Sequence, residues 1–367
     1  MKTPLRLISL SDIHLGHHKT STDFIIRNLK RYWPSKSDMQ EIDLVILAGD
    51  IFDRLLDFNS PAAFDIKRWM HWTLEQCKAN NTIIRVLEGT PSHDHKQNKW
   101  WQEANEIHTA DFDYIDRLCI EHIDSLDIDI LWIPDEWKPS TDTVWLDAKT
   151  ALSQSLLDSV DFTVIHGTMD HQVPHGLKLP HHITQRYLDI TKHYVLTGHI
   201  HQSCVKDRCL TNGSFDRLCH GDEGKKGYWD ITIKETGNEI VFVENANAKV
   251  YKTIDLSEIE DNLSTVIKDV VKDIPEDSFI RLLANPGSTV ISNFESIRAD
   301  YPNYYWTIKP HRDKVDGIQT NLLQDRRDTF EQRLISKDNI EEILLKRLQH
   351  LDPNTLNGCL DLLRRHL

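Results

Sequence analysis

The sequence predicts an α/β protein, two sheets packed as a sandwich with helices on the outside. Three observations carry this. The N-terminal half repeats one phrase, an apolar β-branched run that stops in a short loop rich in Gly, Asp and His: "LRLISLSDIHLG", "DLVILAGDIFD", "TIIRVLEGTPSHD", "DFTVIHGTMDH" and "HYVLTGHIHQ". Runs apolar on both faces are the pattern of buried sheet strands. Helical patterns separate several of them, and strand–helix alternation builds an α/β sheet. In such sheets ligands sit beyond the carboxyl ends of the strands, where every His/Asp cluster of this chain falls.

Taken in order, "LRLISL" reads as a first buried strand; no long apolar stretch or small-residue cleavage site marks a signal peptide. "SPAAFDIKRWMHWTLEQCKAN" reads as a helix with Ser60 as N-cap and Pro61 at its first position, its Phe64, Trp69 and Cys77 recurring at helical spacing. After Gly227 the chain alternates like antiparallel strands through Asp255, with Thr236-Gly237-Asn238 as a turn. A small α/β unit follows. Leu263, Val266, Ile267, Val270 and Val271 mark a helix face, "SFIRLLA" and "YYWTIKP" read as strands, and a second helix falls near Ile291 to Ala299. The expected organisation is therefore a main domain over residues 1–250, a small α/β capping domain over 251–312, a polar linker over 313–334 and a helical hairpin over 335–367.

Composition narrows the function classes. Hydrophobic residues at 39% and charged residues at 27% are ordinary for a soluble globular chain, and no apolar run can span a bilayer. The six cysteines form no C-x-x-C pair, which argues for reduced thiols in the cytoplasm rather than a zinc ribbon. A net charge of −14 argues against a passive, charge-driven nucleic-acid binder. It leaves room for an enzyme whose metal ions bring the local positive charge. The 20 histidines, many in short strings, point the same way.

The candidate ligands stand at the strand ends. Asp12 and His14, one residue apart, can turn a carboxylate and an imidazole toward one ion. Asp50 follows Gly49, which permits close backbone approach. His199 and His201 follow Gly198, and His166 ends another strand; imidazoles at such buried ends are costly unless something binds them. His93 and Asp94 close the loop "GTPSHD".

In order, D-x-H, G-D-x-x-D, H-D, H-G and G-H-x-H resemble the calcineurin-like metallophosphoesterases over about residues 5–230. That resemblance implies a two-metal centre, with cations about 4 Å apart and commonly manganese, magnesium being the alternative. It assigns Asp12, His14 and His201 to the first ion, and His166, His199 and the residue at Ser92 to the second, with Asp50 as the bridge. Ser92 stands where the family has Asn, so the second ion is expected to be held more loosely. His93 would serve the leaving oxygen, with Asp94 orienting its ring. "TNGSFDRLCHGDEGKKGYW" resembles the segment after the last motif in SbcD-type nucleases, and "GDIFDR" suits them better than protein phosphatases, since no Gly follows Arg54. This likeness implies a manganese-dependent DNA exonuclease and single-strand endonuclease of DNA repair, recombination or replication, homodimeric in a heterotetramer. Its partner would be an ABC-type ATPase with a coiled coil, on which the C-terminal helices dock.

Other readings stay open. A small-molecule phosphodiesterase or phosphatase of the same superfamily would need the same clusters, and a non-catalytic scaffold would keep the fold alone. His17, His18 and His95 either line a groove or sit in solvent. Trp100 and Trp101 either stack on unpaired bases or pack in the core. Asp53 either supports the metal site or makes a structural ion pair.

Overall fold

A computed structural model describes residues 1–174, 176–259 and 262–311. The chain lays down β1 (Leu5–Leu10), β2 (Leu44–Ala48), β3 (Ile83–Leu87) and β4 (Phe112–Ile115). It then builds a second sheet from β5 (Cys119–Ile123), β6 (Ile128–Ile133), β7 (Val160–His166), β8 (Thr191–Gly198), β9 (Cys204–Lys206) and β10 (Cys209–Thr211). Next β11 (Gly227–Ile233) and β12 (Glu239–Glu244) return to the first sheet. The sheet orders are β12-β11-β1-β2-β3-β4 and β5-β6-β7-β8-β10-β9, both mixed. The expected α/β sandwich is what the chain forms.

The two sheets bury one shared core. Leu5, Leu7, Leu44 and Ile46 of the first meet Trp132, Phe162, Val164 and Leu196 of the second. Because strand side chains alternate faces, Ile8, Leu10, Val45 and Leu47 point the other way, under the helices Thr22–Tyr32, Pro61–Asn80 and Lys99–His108. Leu131, Ile133, Ile165 and Val195 do the same beneath Thr141–Gln154. Strands buried on both sides have no polar face to show, hence their continuous apolar runs.

Ser60 caps the helix Pro61–Asn80 by accepting from Ala63 N, with Pro61 in its first turn, and left-handed Asn81 ends it at φ 55°. Trp69 and Cys77 are buried as their spacing predicts, but Phe64 is 62% exposed. It lies five residues before Trp69, on the opposite face of a 3.6-residue helix.

One expectation for the C-terminal part changes. β11 and β12 pair antiparallel, but β13 (Tyr251–Asp255) leaves that sheet. It pairs in parallel with β14 (Phe279–Ala284), which pairs in parallel with β15 (Tyr305–Pro310). Tyr251, Phe279 and Tyr305 stack across the three strands with successive ring centroids 4.6 Å apart. This small sheet has its own core around Ile267, Val271, Ile280 and Leu282. Nonetheless Met1–Pro310 forms one compact unit, with Tyr251 Oη 3.0 Å from Thr20 Oγ1. The linker 313–334 and the hairpin 335–367 lie outside the described residues.

Candidate metal centre

β1 runs parallel to β2, β2 to β3, and β7 to β8, so the loops after these five strands emerge at like ends of their sheets. Beyond the strands the loops stay in register: Asp12 N donates to Gly49 O at 3.0 Å and His14 N to Asp50 O at 3.1 Å. The two sheets meet where His166 Nδ1 faces the Ala48 carbonyl at 2.8 Å and His199 N donates to both Asp12 carboxylate oxygens at 3.0 and 3.1 Å. A Cβ on Gly49 (φ +88°) would lie 2.3 Å from His166 Nδ1, so no other residue allows this approach.

Three overlapping triads result. The ligand atoms of Asp12, His14 and His201 lie within 4.8 Å of one another, as do those of His14, Asp50 and His93, and those of Asp50, His166 and His199. Asp50 belongs to two: its Oδ2 is 3.8 Å from His14 Nε2 and its Oδ1 is 3.3 Å from His166 Nε2. His14 Nε2 and His201 Nε2 are 3.0 Å apart. Holding these groups strains the backbone. Asp12, His14, Asp50 and His199 all have positive φ, between 51° and 87°, at a cost on the order of 1 kcal/mol each.

The electrostatics are those of a site built for cations. Asp12 and Asp50 are buried and neither pairs with a Lys or Arg among the described residues. Burial pushes the Asp12 carboxyl up. Burial would raise Asp50 too, but His166 outweighs it and holds the group well below the carboxylate range. In return, against its own burial, His166 is carried up to about 10 by Asp50. Burial drives His199 down to about 4 and His201 to about 3, leaving both as neutral lone-pair donors. Mixed carboxylate and imidazole donors, with His199 and His201 neutral and two buried acids paired with no Lys or Arg among the described residues, suit divalent transition metals. The residues present therefore fit a pair of cations: Asp12, His14 and His201 for one, Asp50, His166 and His199 for the other.

Two sequence-predicted roles do not survive. Ser92 is exposed on the short helix Pro91–Asp94, turned out of the cluster. Thr90 takes that place. Its hydroxyl lies 3.2 Å from Asp50 Oδ2, 3.4 Å from His166 Nε2 and 3.3 Å from His199 Nδ1. The missed signal is a doublet: Thr90 follows Gly89 as Asp50 follows Gly49 and His199 follows Gly198. Pro91 and Ser92 stand between Thr90 and His93. Asp94, in turn, does not orient His93. It accepts from Asp50 N, Phe52 N, Gly89 N and Asn98 Nδ2 at 2.7–3.1 Å, clasping the β2 and β3 loops together. Burial and the charges of Asp50 and Glu88 push its carboxyl up, and those amides pull it back toward the charged form.

His93 is oriented by Asp53 instead, whose carbonyl lies 2.8 Å from its Nδ1. Its ring stands edge-on to His14 with centroids 4.9 Å apart. The Asp53 carboxylate is 3.3 Å from His14 Nδ1, so this residue backs the site. Lys226, in the segment "TNGSFDRLCHGDEGKKGYW", is buried and donates to the His201 carbonyl at 2.8 Å, to Ser214 at 2.9 Å and to Asp222. Trp101 is core, packed on Trp69, while Trp100 packs on Phe52. His18 and His95 are exposed, and His17 is half-buried.

No family model matches the chain, and no curated protein matches it. One crystal structure aligns over 66% of this chain and 100% of its own at 9% identity, with a TM-score of 0.40, too slight a likeness to carry an argument. Among the described residues no helix is long and apolar enough to cross a membrane.

Proposed function

We propose that this chain is a metal-dependent phosphodiesterase that cleaves DNA, resembling the nuclease subunit of SbcD type and working with an ABC-type ATPase. The observation that carries the reading is the sharing of Asp50 and His14 among three ligand triads where two sheets meet. Two divalent cations, manganese or magnesium, would supply positive charge for phosphate oxygens and lower the pKa of water.

The chain's own residues supply the rest. Asp50, reaching toward both halves of the site, fixes their spacing. Thr90, through its N–H and hydroxyl, fixes the Asp50 carboxylate. With the Asp53 carbonyl accepting from Nδ1, the His93 ring presents Nε2 beside His14 and Asp50. As water adds to phosphorus and the bond to the leaving oxygen breaks, the doubly protonated His93 ring passes its Nε2 proton to that oxygen and keeps Nδ1–H on the Asp53 carbonyl, while the proton of the attacking water is released to solvent. Such general acid help is worth about 10²–10⁴-fold.

The test is cleavage of end-labelled duplex and single-stranded DNA with manganese or magnesium, with and without the ATPase. His93→Ala should lose at least about 100-fold in rate while elemental analysis finds its metal content unchanged. Turnover of a small phosphodiester with none of DNA, partner present, would move the reading to a small-molecule enzyme. Equal rates for variant and wild type would remove His93 from the chemistry.

A further inference from the structure

The loop after β6 carries a side chain that nothing in the fold requires. Trp137 is 84% exposed, although an indole is among the largest apolar surfaces a chain can bury. Its loop is held firmly on both sides. Glu136 N donates to Pro134 O at 3.0 Å and Glu136 Oε1 accepts from Leu118 N at 3.2 Å. Lys138 pairs with Glu136 and Asp147 at 3.2 and 3.1 Å. The indole is thus presented to solvent by an anchored frame.

Its loop follows the strand that pairs with the His166-bearing strand β7. The β6–β7 register ends with Ile133 beside Ile165, one residue before His166. Burial raises the Asp135 carboxyl, with His166 pulling it back and Asp50 adding to the rise. Trp137 comes two residues after Asp135 in the same loop. Its sequence neighbours are charged and paired, which suits a ligand with an apolar face and polar edges.

We propose that Trp137 is a stacking platform for an unpaired base of the strand whose phosphate lies at the metal centre. This rests on the reading of the chain as a DNA-cleaving enzyme and specifies the substrate: a single strand or a frayed end, because a base inside a duplex has no free face. Stacking on an aromatic ring is tolerant of sequence, since every base has a π-face.

The experiment measures binding of thymidine oligonucleotides of roughly 12 nucleotides, within the usual range of single-strand sites, to the full chain carrying His93→Ala. Manganese is present and fluorescence anisotropy is the readout. Adding Trp137→Ala should weaken binding by about 5- to 100-fold, and Trp137→Phe should restore most of it. Leu156→Ala should change nothing: Leu156 is 93% exposed but precedes Val160, at the far end of β7 from His166. A single abasic nucleotide moved along the strand should find one position that weakens the Trp137 protein and leaves the Trp137→Ala protein unaffected. Equal affinities, or an abasic penalty identical in both proteins, would overturn the stacking role while leaving the nuclease reading intact. Failure of the Trp137 protein itself to bind any DNA would overturn both.

Discussion

The Thr90 backbone N–H donates to Asp50 Oδ1 at 2.6 Å, while the Thr90 hydroxyl reaches Oδ2 at 3.2 Å. One residue thereby holds both oxygens of the carboxylate shared by two ligand triads. The backbone bond survives any substitution except proline, so the hydroxyl can be tested alone. Thr90→Val keeps the shape and removes the oxygen. It should weaken the second manganese by about 10- to 100-fold, the usual effect of losing a residue that supports metal ligands. Ser92→Ala should leave manganese affinity unchanged, because that side chain is exposed. Calorimetric titration of both variants decides. A large effect at Ser92 with none at Thr90 would reverse the assignment.

Gly89 should tolerate no side chain. A Cβ there would stand 2.1 Å from Asp50 N and 2.4 Å from Asp50 Oδ1, against backbone that cannot rotate away. Gly89→Ala should therefore cost about 3 kcal/mol or more, at the upper end of overpacking effects. The loss should persist with chelator present, since the clash is with the chain and not with an ion. Urea unfolding in EDTA measures it, and a wild-type midpoint would show that the loops are looser than their geometry.

Asp94→Asn should also destabilise, for a different reason. Asp94 Oδ1 accepts from Phe52 N at 2.9 Å, and Oδ2 accepts from Asp50 N, Gly89 N and Asn98 Nδ2. Every neighbour is a donor, so the amide –NH₂ of Asn must face an N–H whichever way it turns. The expected loss is about 2–4 kcal/mol, the cost of leaving buried donors unmade. His93→Ala, which exposes no such clash, should fall within about 1 kcal/mol of wild type. If instead both variants unfold alike, the clasp does not govern the loops.

The sandwich was legible because its strands are buried on both faces, and nothing else in the chain mimics runs such as "LVILA" and "TVIH". The clustering of Asp12, Asp50, His166 and His199 was legible because each closes such a run. Thr90 was not, since a threonine after glycine carries no metal signal until its hydroxyl is seen among Asp50, His166 and His199. Asp94 was misjudged because adjacency to His93 suggests contact. On the short helix Pro91–Asp94 neighbouring side chains diverge by about 100°, which sends Asp94 inward to the amides and leaves His93 to the Asp53 carbonyl. The antiparallel pairing read for β13 was wrong because alternation reveals a strand but not its partner. The parallel pairing with β14 depends on Tyr251 stacking on Phe279, 28 residues away in sequence.

His182 supplies a test of pH dependence. It is buried, with Nδ1 3.1 Å from Tyr187 Oη, and burial lowers its pKa to about 4. An unfolded histidine titrates near 6.5. Between those values the unfolded chain binds the extra proton and the folded chain does not, so stability is full above about pH 6.5 and falls as pH drops toward 4. At about 1.4 kcal/mol per pH unit, this group alone removes about 2 kcal/mol by pH 5. His182→Leu abolishes that titration while roughly keeping the volume. Urea unfolding at pH 7 and pH 5 should therefore show the wild-type advantage over the variant shrinking by about 2 kcal/mol on acidification. A difference that stays constant across the two pH values would mean that the ring is reached by water and takes its proton in the folded state.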